Sequence, residues 1–176
     1  MSWSREQLSG LRRLLGLKQV LRRGWTRHPI PSSAVESVAD HSYGVALLCL
    51  LMCPPELNRS RVLELAVLHD LAEVETGDLT PHDGVGPTEK ATLEREALTN
   101  LLKTLPNSAY FVTVFEEYQK ASTAEARWVK SIDKLEMTLQ SLNYEAQHGV
   151  DLQEFRDSSG KALENLGLSR ERNGLS

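Results

Sequence analysis

Apolar residues recur along this chain at intervals of three and four, which is the spacing of one face of an α-helix. Residues 5–21 show this pattern with Arg and Lys on the opposite face, so they predict an amphipathic helix. A second helix is predicted from Ser37, where a capping pattern begins, to the Pro-Pro pair at 54–55. The segment 63–78 predicts a third helix that continues to a Gly-Asp pair.

Three further helices are predicted in the second half of the chain. The first spans 88–105 with Leu93 among its inward-facing leucines, and the next carries an aromatic stripe within 111–118. The last begins with a capping box and runs over 122–148 to a glycine that stops it. A short helix follows residue 151. Because no segment shows the alternation typical of a strand, we predict an all-α bundle of about six or seven helices.

Two segments rich in Gly and Pro interrupt the helical pattern. The first, 22–33, places Arg22, Arg23 and Trp25 on a loop, where arginines beside an indole can form a site for an anion and a ring. A solvated connector with one anchoring Trp explains the same residues equally well. The second segment, 79–87, is a candidate mobile rim.

Four polar residues lie on apolar helix faces and are predicted to point inward. His41 heads the apolar face of the second helix, His69 and Asp70 lie in the third, and Asp133 lies in the last. Taken singly, each has a structural explanation: a histidine satisfied in the core, or a carboxylate paired with a neighbour such as Lys130. Together they bring two imidazoles and two carboxylates from three helices. That mixture suits manganese, iron, cobalt or zinc better than calcium.

Composition narrows the class of protein. The chain has 176 residues, enough for a hydrophobic core that needs no metal to fold. A formal net charge of -4 and a pI near 5.8 give no basis for a nucleic-acid polymer as partner. Cys49 and Cys53, on one face of an apolar helix, indicate reduced thiols. The first residues lack the apolar segment of a signal peptide, and no apolar run approaches the roughly 18 residues of a membrane span. We therefore expect a cytoplasmic protein with no membrane partner.

The polar residues and their neighbours form an ordered set of motifs. They are Leu17-Lys18, Arg22-Arg23-Gly24-Trp25, Glu36-Ser-Val-Ala-Asp-His41-Ser, His69-Asp-Leu-Ala-Glu-Val-Glu-Thr-Gly-Asp78 and Val129-Lys-Ser-Ile-Asp-Lys-Leu-Glu136. The order of histidines and aspartates resembles the HD-domain metal-dependent phosphohydrolase superfamily. The later acidic residues and the upstream Arg and Trp are similar to its 5′-deoxynucleotidase branch. The resemblance covers residues 17–163, and we expect 1–176 to form a single HD domain with a frayed C-terminal tail.

The resemblance implies an all-helical, often homodimeric enzyme that removes the 5′-phosphate from deoxynucleoside monophosphates. It implies a divalent cofactor, for which Mn, Co, Fe, Zn and Mg are candidates. The metal ligands that it assigns by position are His41, His69, Asp70 and Asp133. Glu73 and Asp78 match acidic, catalytic residues near the leaving phosphate. Arg22, with Arg23 as its rival, matches the phosphate-binding position, and Trp25 matches an aromatic residue on the sugar side.

Other functions remain open at this point. An HD-type enzyme for cyclic or polyphosphate nucleotides, or a di-iron oxygenase, would use additional histidines that the motifs here lack. A noncatalytic HD module that only binds a nucleotide would usually have lost a metal ligand, and the set here is intact. If the Trp25 ring stands against the sugar, deoxyribose is preferred over ribose, with little preference among the bases.

Overall fold

The computed structural model describes residues 2–169 and 173–175, and this part of the chain is all-α, as predicted. Its α-helices are α1 (Arg5–Leu14), α2 (Val38–Met52), α3 (Arg59–Leu68), α4 (Glu73–Thr76), α5 (Pro87–Leu102), α6 (Ser108–Lys120), α7 (Ala124–His148) and α8 (Gln153–Asn165). Three short 3-10 helices lie at Leu15–Gln19, Trp25–Arg27 and Pro81–Asp83. A frayed C-terminal tail was predicted from the sequence. Residues 170–172 and 176 of that tail lie outside the described residues.

The core lies between α2, α3 and α7. Val45 of α2, Leu65 of α3 and Ile132 of α7 are fully buried in one cluster. Burial of an aliphatic side chain of this size stabilises the fold by about 1.5–3 kcal/mol. Helix α7, at 25 residues, is the longest helix of the described chain and packs against α2, α3, α6 and α8. Side chains on several faces of α7 are therefore buried.

The start of α2 is fixed both by its cap and by the preceding loop. Ser37 and Asp40 form a reciprocal capping box, so the predicted cap is confirmed. One isolated antiparallel bridge joins Leu21 to Ser37, and the N–H of Arg22 donates to the carbonyl of Glu36 at 3.0 Å. This pairing holds the loop that carries Arg22 against the first turn of α2.

The third predicted helix is not continuous. Helix α3 ends at Leu68, and i to i+3 hydrogen bonds follow, including one of 3.0 Å from the N–H of Glu73 to the carbonyl of Asp70. The carbonyl of Ala66 accepts a 2.7 Å hydrogen bond from the ring of His69. In a continuing α-helix that carbonyl would accept the N–H of Asp70. The side chain of His69 thus competes with the helix ladder, and the chain tightens before α4.

Two smaller predictions were wrong. The first helix was predicted to reach residue 21, but α1 ends at Leu14 and a 3-10 turn continues the chain. Leu93 was predicted to face inward, yet it is 41% exposed, because the buried face of α5 starts only at Ala97. Among the described helices, none combines the length and the apolar composition required to cross a bilayer.

Gly77, which ends α4, offers a test of this turn. Its φ of 70° and ψ of 172° lie in a region that only glycine adopts readily, and a Cβ there would meet no atom within 4 Å. We expect Gly77→Ala to lower the free energy of unfolding by about 1–3 kcal/mol through backbone strain alone. Urea denaturation followed by circular dichroism measures this.

The matched control is Gly160, which lies inside α8 and whose Cβ would also meet nothing within 4 Å. Gly160→Ala should raise the free energy of unfolding by about 0.5–1 kcal/mol, because alanine is the better helix former. A Gly77→Ala variant as stable as the wild type would contradict the strained turn.

Candidate metal centre and adjoining pocket

His41 lies in the first turn of α2 and is fully buried. Its Nδ1 is 2.6 Å from Oε2 of Glu136, which reaches across from α7. A carboxylate can only accept, so Nδ1 carries the proton that it donates. In the neutral imidazole the other ring nitrogen, Nε2, then carries a lone pair that points toward α3.

His69 follows the last residue of α3 and is oriented in the same way. Its Nδ1 donates to the carbonyl of Ala66 at 2.7 Å, which again leaves the lone pair on Nε2. The two Nε2 atoms of His41 and His69 lie 3.4 Å apart. Each of the two histidines therefore presents an acceptor to the other.

Two carboxylates complete this group. Oδ2 of Asp70 lies 3.2 Å from Nε2 of His69 and 3.7 Å from Nε2 of His41. Oδ1 of Asp133 lies 3.3 Å from Nε2 of His41. Four acceptor atoms thus face one another, an arrangement that is repulsive unless a cation or a proton is shared. We call His41, His69, Asp70 and Asp133 the acceptor set.

The acceptor set fits a divalent ion. Ligand atoms about 2.1 Å from one ion lie roughly 3.0–3.6 Å apart when their angle at the ion is 90–120°. The donor atoms of His41, His69 and Asp70 all lie within 4.8 Å of one another, and Asp133 joins them through its contact with His41. Nitrogen and oxygen ligands in this mixture are typical of first-row transition metals.

Asp133 does not form the alternative ion pair with Lys130 in the described structure. Its Oδ2 instead accepts a 3.0 Å hydrogen bond from the hydroxyl of Tyr118, and the Lys130 ammonium lies over the Tyr118 ring, 4.2 Å from its centroid. The sequence predicted Tyr118 only as part of a core stripe. Its spacing gave no sign that its hydroxyl would reach a carboxylate from another helix.

The pKa values of two carboxyl groups at the site are shifted in opposite directions. Burial opposes ionisation of Asp70, but His69, His41 and Arg22 lower the pKa of Asp70 well below its usual range. Burial and then the neighbouring charges of Asp70 and Asp78 raise the pKa of Glu73 far above its usual range. Oε2 of Glu73 is buried and has no hydrogen-bond partner among the described residues. A cation in the acceptor set favours the ionised form of Glu73, which then can accept a proton.

The two adjacent arginines point in different directions. The Arg22 guanidinium is half-buried between two carboxylates, 3.7 Å from Oδ2 of Asp70 and 3.7 Å from Oδ1 of Asp78. The Arg23 side chain is 50% exposed and pairs with Asp83 at 2.8 Å. The backbone N–H of Arg23 donates to Oδ2 of Asp78 at 2.6 Å. Because 3.7 Å is too long for a hydrogen bond, the donors of Arg22 remain able to bind an oxyanion.

Trp25 forms part of the wall beside the arginines and is only 1% exposed. Its ring packs on Phe155 with centroids 4.1 Å apart and on Tyr144 with centroids 5.4 Å apart. Its Nε1 donates to Oε1 of Glu36 at 2.7 Å. The indole is therefore held from three sides, and little of it faces the pocket.

These residues border one cavity of about 580 Å³, a volume typical of small-molecule sites. His69, Asp70, Glu73, Asp78 and Asp133 line its acidic part. Its cationic lining comprises Arg22, Arg27, Lys90, Lys130 and Lys134, and its apolar lining includes Trp25, Met137 and Phe155. Arg23 is absent from this lining. The cavity thus offers a place for a metal, an anion and an apolar ring side by side.

Comparison with known proteins identifies relatives over most of the chain. The family model for the HD domain matches residues 15–168. The 5′-deoxynucleotidase hdd1 of Schizosaccharomyces pombe is 40% identical over 147 residues, which cover 79% of this chain and 73% of that protein. The 5′-deoxynucleotidase HDDC2 of Homo sapiens is 37% identical over 160 residues, which cover 89% of this chain and 78% of that protein.

Solved structures show the same architecture. A conserved hypothetical protein from Pyrococcus furiosus superposes with a TM-score of 0.76 at 34% identity, covering 94% of this chain and 92% of that one. A predicted metal-dependent phosphohydrolase from Magnetospirillum magnetotacticum superposes with a TM-score of 0.70 at 27% identity, covering 90% and 84%.

We expect the acceptor set to bind metal as a unit, so Asp133→Ala should lose most of its bound metal after dialysis against metal-free buffer. Elemental analysis of the purified chain loaded with Mn²⁺ or Co²⁺ measures the content. Asp151→Ala, which removes an exposed carboxylate in the connection between α7 and α8, should keep the wild-type content. Full occupancy in Asp133→Ala would show that Asp133 is not a ligand.

Proposed function

The chain belongs to the HD domain family, and we propose that it is a metal-dependent 5′-deoxynucleotidase that hydrolyses deoxynucleoside 5′-monophosphates to nucleoside and phosphate. The observation that carries the proposal is the acceptor set, of which His69, Asp70 and Asp133 line the cavity, beside the half-buried guanidinium of Arg22. Relatives that bear the name 5′-deoxynucleotidase match most of the chain.

We propose Arg22 as the phosphate-binding residue. Its planar guanidinium can donate two parallel hydrogen bonds to a phosphate, and it is already desolvated. Asp70 and Asp78, each 3.7 Å away, hold it near the acceptor set without engaging its donors at hydrogen-bond distance. Arg23 contributes its backbone N–H to Asp78 and so helps to orient that carboxylate.

We assign the proton transfers to Glu73 and Asp78. A divalent ion held by His41, His69, Asp70 and Asp133 would lower the pKa of a water from about 15.7 toward 7 and polarise the phosphoryl group. Glu73 lines the same cavity with an unpaired carboxylate oxygen and is placed to take the proton of the attacking water. The proton that Glu73 takes would return to the leaving 5′ oxygen, with Asp78 or a water held by the ion as the candidate donor. The mixed ligand set suits manganese, iron, cobalt or zinc as the ion.

We propose Trp25 as the wall that discriminates against ribose. The indole cannot move aside easily, because Phe155, Tyr144 and Glu36 hold it. A ribose 2′-hydroxyl against that ring would lose water without gaining a partner, at a cost of ~1–3 kcal/mol. Hydrophobic packing of a base against Met137 and Phe155 reads no particular base edge, so we expect little preference among the four.

We propose further that the chain forms a homodimer in the cytoplasm. The outer face of α2 exposes Tyr43 (70%), Leu51 (72%) and, to a lesser degree, Leu47 and Leu50. Such a contiguous apolar helix face is typical of a surface that meets a partner, and an isologous contact pairs it with itself. The cytoplasmic location is supported by the free thiols of Cys49 and Cys53.

The function is tested by measuring phosphate release from matched deoxyribo- and ribonucleoside 5′-monophosphates, with deoxynucleoside 3′-monophosphates as controls. We expect hydrolysis of all four 5′-deoxy substrates, slower hydrolysis of the ribo forms by roughly 5- to 150-fold, and none of the 3′ isomers. Equal rates on ribo and deoxy substrates would reject the sugar wall. An enzyme that is inert to monophosphates but active on cyclic or polyphosphate nucleotides would reject the proposal.

The same assay separates the two arginines, which form a matched pair. Arg22→Ala should lower kcat/KM about 10- to 100-fold, because a charge-assisted contact to the phosphate is lost. Arg23→Ala should stay within about threefold of the wild type, since only an exposed ion pair is lost. A larger loss of kcat/KM in Arg23→Ala than in Arg22→Ala would assign phosphate binding to Arg23.

Glu73 is tested by a substitution that keeps its shape. Glu73→Gln should retain metal content and KM but lose on the order of 10²-fold or more in kcat, because the amide cannot accept the proton. Glu75→Gln is the control two residues further along α4, where the carboxylate contacts Asn100 and Arg13 instead. If Glu73→Gln loses its metal in parallel with its activity, Glu73 acts through the ion and not as a base.

A further inference from the structure

A buried carboxylate stands directly behind the proposed metal ligand His41. Oε2 of Glu136 lies 2.6 Å from Nδ1 of His41, the ring nitrogen that faces away from the acceptor set. Glu136 follows Asp133 by three residues, so one side of α7 delivers both carboxylates to the same histidine. We propose that Glu136 is a positioning residue, which fixes the tautomer and the ring orientation of His41 for metal binding.

The physical reason is the geometry that a metal requires of an imidazole. A charged acceptor at Nδ1 keeps the proton there, prevents the ring from flipping and makes the Nε2 lone pair a stronger donor. His69 obtains the equivalent contact from the carbonyl of Ala66, three residues earlier in its own turn. The support of His41 comes from a side chain on another helix, so it depends on the packing of α2 against α7.

Gly44 provides the space for this contact. It lies one turn after His41 on α2, and a Cβ at this position would lie 2.7 Å from Oε1 and 3.0 Å from Cγ of Glu136. Glycine is one of the weakest helix formers, yet it stands in the middle of α2. An alanine there would suit the helix but would push the carboxylate away from His41. The substitution Gly44→Ala would thus move the Glu136 carboxylate without changing its charge.

A second carboxylate, Glu36, lies with His41 and Glu136 in one group whose donor atoms are all within 4.8 Å of one another. This group does not form a second cation site, because a 2.6 Å hydrogen bond already occupies Nδ1 and its proton would have to leave. Oε1 of Glu36 instead accepts a 2.7 Å hydrogen bond from Nε1 of Trp25, and the backbone carbonyl of Glu36 accepts a 3.0 Å hydrogen bond from the N–H of Arg22. Glu36 therefore links the region behind His41 to the loop that carries Arg22 and Trp25.

The inference rests on the proposed role of His41 as a metal ligand and not on the identity of the substrate. The experiment measures the affinity of the full chain for Co²⁺ by competition with a chelator and records the cobalt absorption spectrum. Glu136→Ala should weaken binding by about 10- to 100-fold and change the spectrum. Gly44→Ala should act in the same direction, and Glu136→Gln should retain more affinity than Glu136→Ala, because the amide oxygen still accepts the Nδ1 proton.

Two control variants separate positioning from folding. Glu145→Gln weakens a comparable pair on the same helix, with Arg156 at 2.6 Å, about 13 Å along α7 from Glu136. It should lower the thermal midpoint and leave cobalt affinity unchanged. Wild-type affinity in Glu136→Ala and Gly44→Ala, with weakened binding in Asp133→Ala, would overturn the role of Glu136. Wild-type affinity in Asp133→Ala would instead overturn the metal centre and with it the proposed function.

Discussion

Two imidazole nitrogens and two carboxylate oxygens meet at the centre of this protein, and the helices around them hold them together, although they repel one another unless a cation or a proton is shared. The two imidazoles cannot relieve the repulsion by turning, since each Nδ1 donates to a fixed acceptor, Glu136 for His41 and the carbonyl of Ala66 for His69. The packing of α2, α3 and α7 supplies the restraint through apolar burial. A divalent cation would convert the repulsion into attraction, so in the proposed function the stability of the site and its chemistry would depend on the same ion.

Two irregular segments of the backbone help to bring the site residues together. Ideal helical geometry separates neighbouring residues by about 100° around the axis, so it would direct His69 and Asp70 to different sides. The tightened turn after Leu68 brings both to one site and lets α4 start at Glu73. The bridge between Leu21 and Ser37 similarly brings the Arg22 loop to the start of α2.

Charged side chains around the cavity differ in their exposure to water and in the charges that lie beside them. Arg22 is enclosed by carboxylates that neutralise it without hydrogen bonding to it, whereas Arg23, its neighbour in sequence, pairs with Asp83 at the surface. Burial opposes the ionisation of both Glu73 and Asp70, but the neighbouring carboxylates add to the raised pKa of Glu73, whereas His69, His41 and Arg22 lower the pKa of Asp70. A low local dielectric makes each of these differences larger than it would be in water.

The sequence by itself determined the all-α class, the Ser37 cap and the stop at Gly149, because these depend on periodicity and on the conformational preferences of a few residues. Its motifs also identified the acceptor residues and the family. Three features were beyond it: the break after Leu68, the inward choice of Arg22 over Arg23, and the contacts of Tyr118 and Glu136 with the site. Each depends on which atoms of distant helices come within hydrogen-bond distance. Only the tertiary packing of α2, α3, α6 and α7 decides that distance, because residues far apart in the chain have no periodic relation to one another.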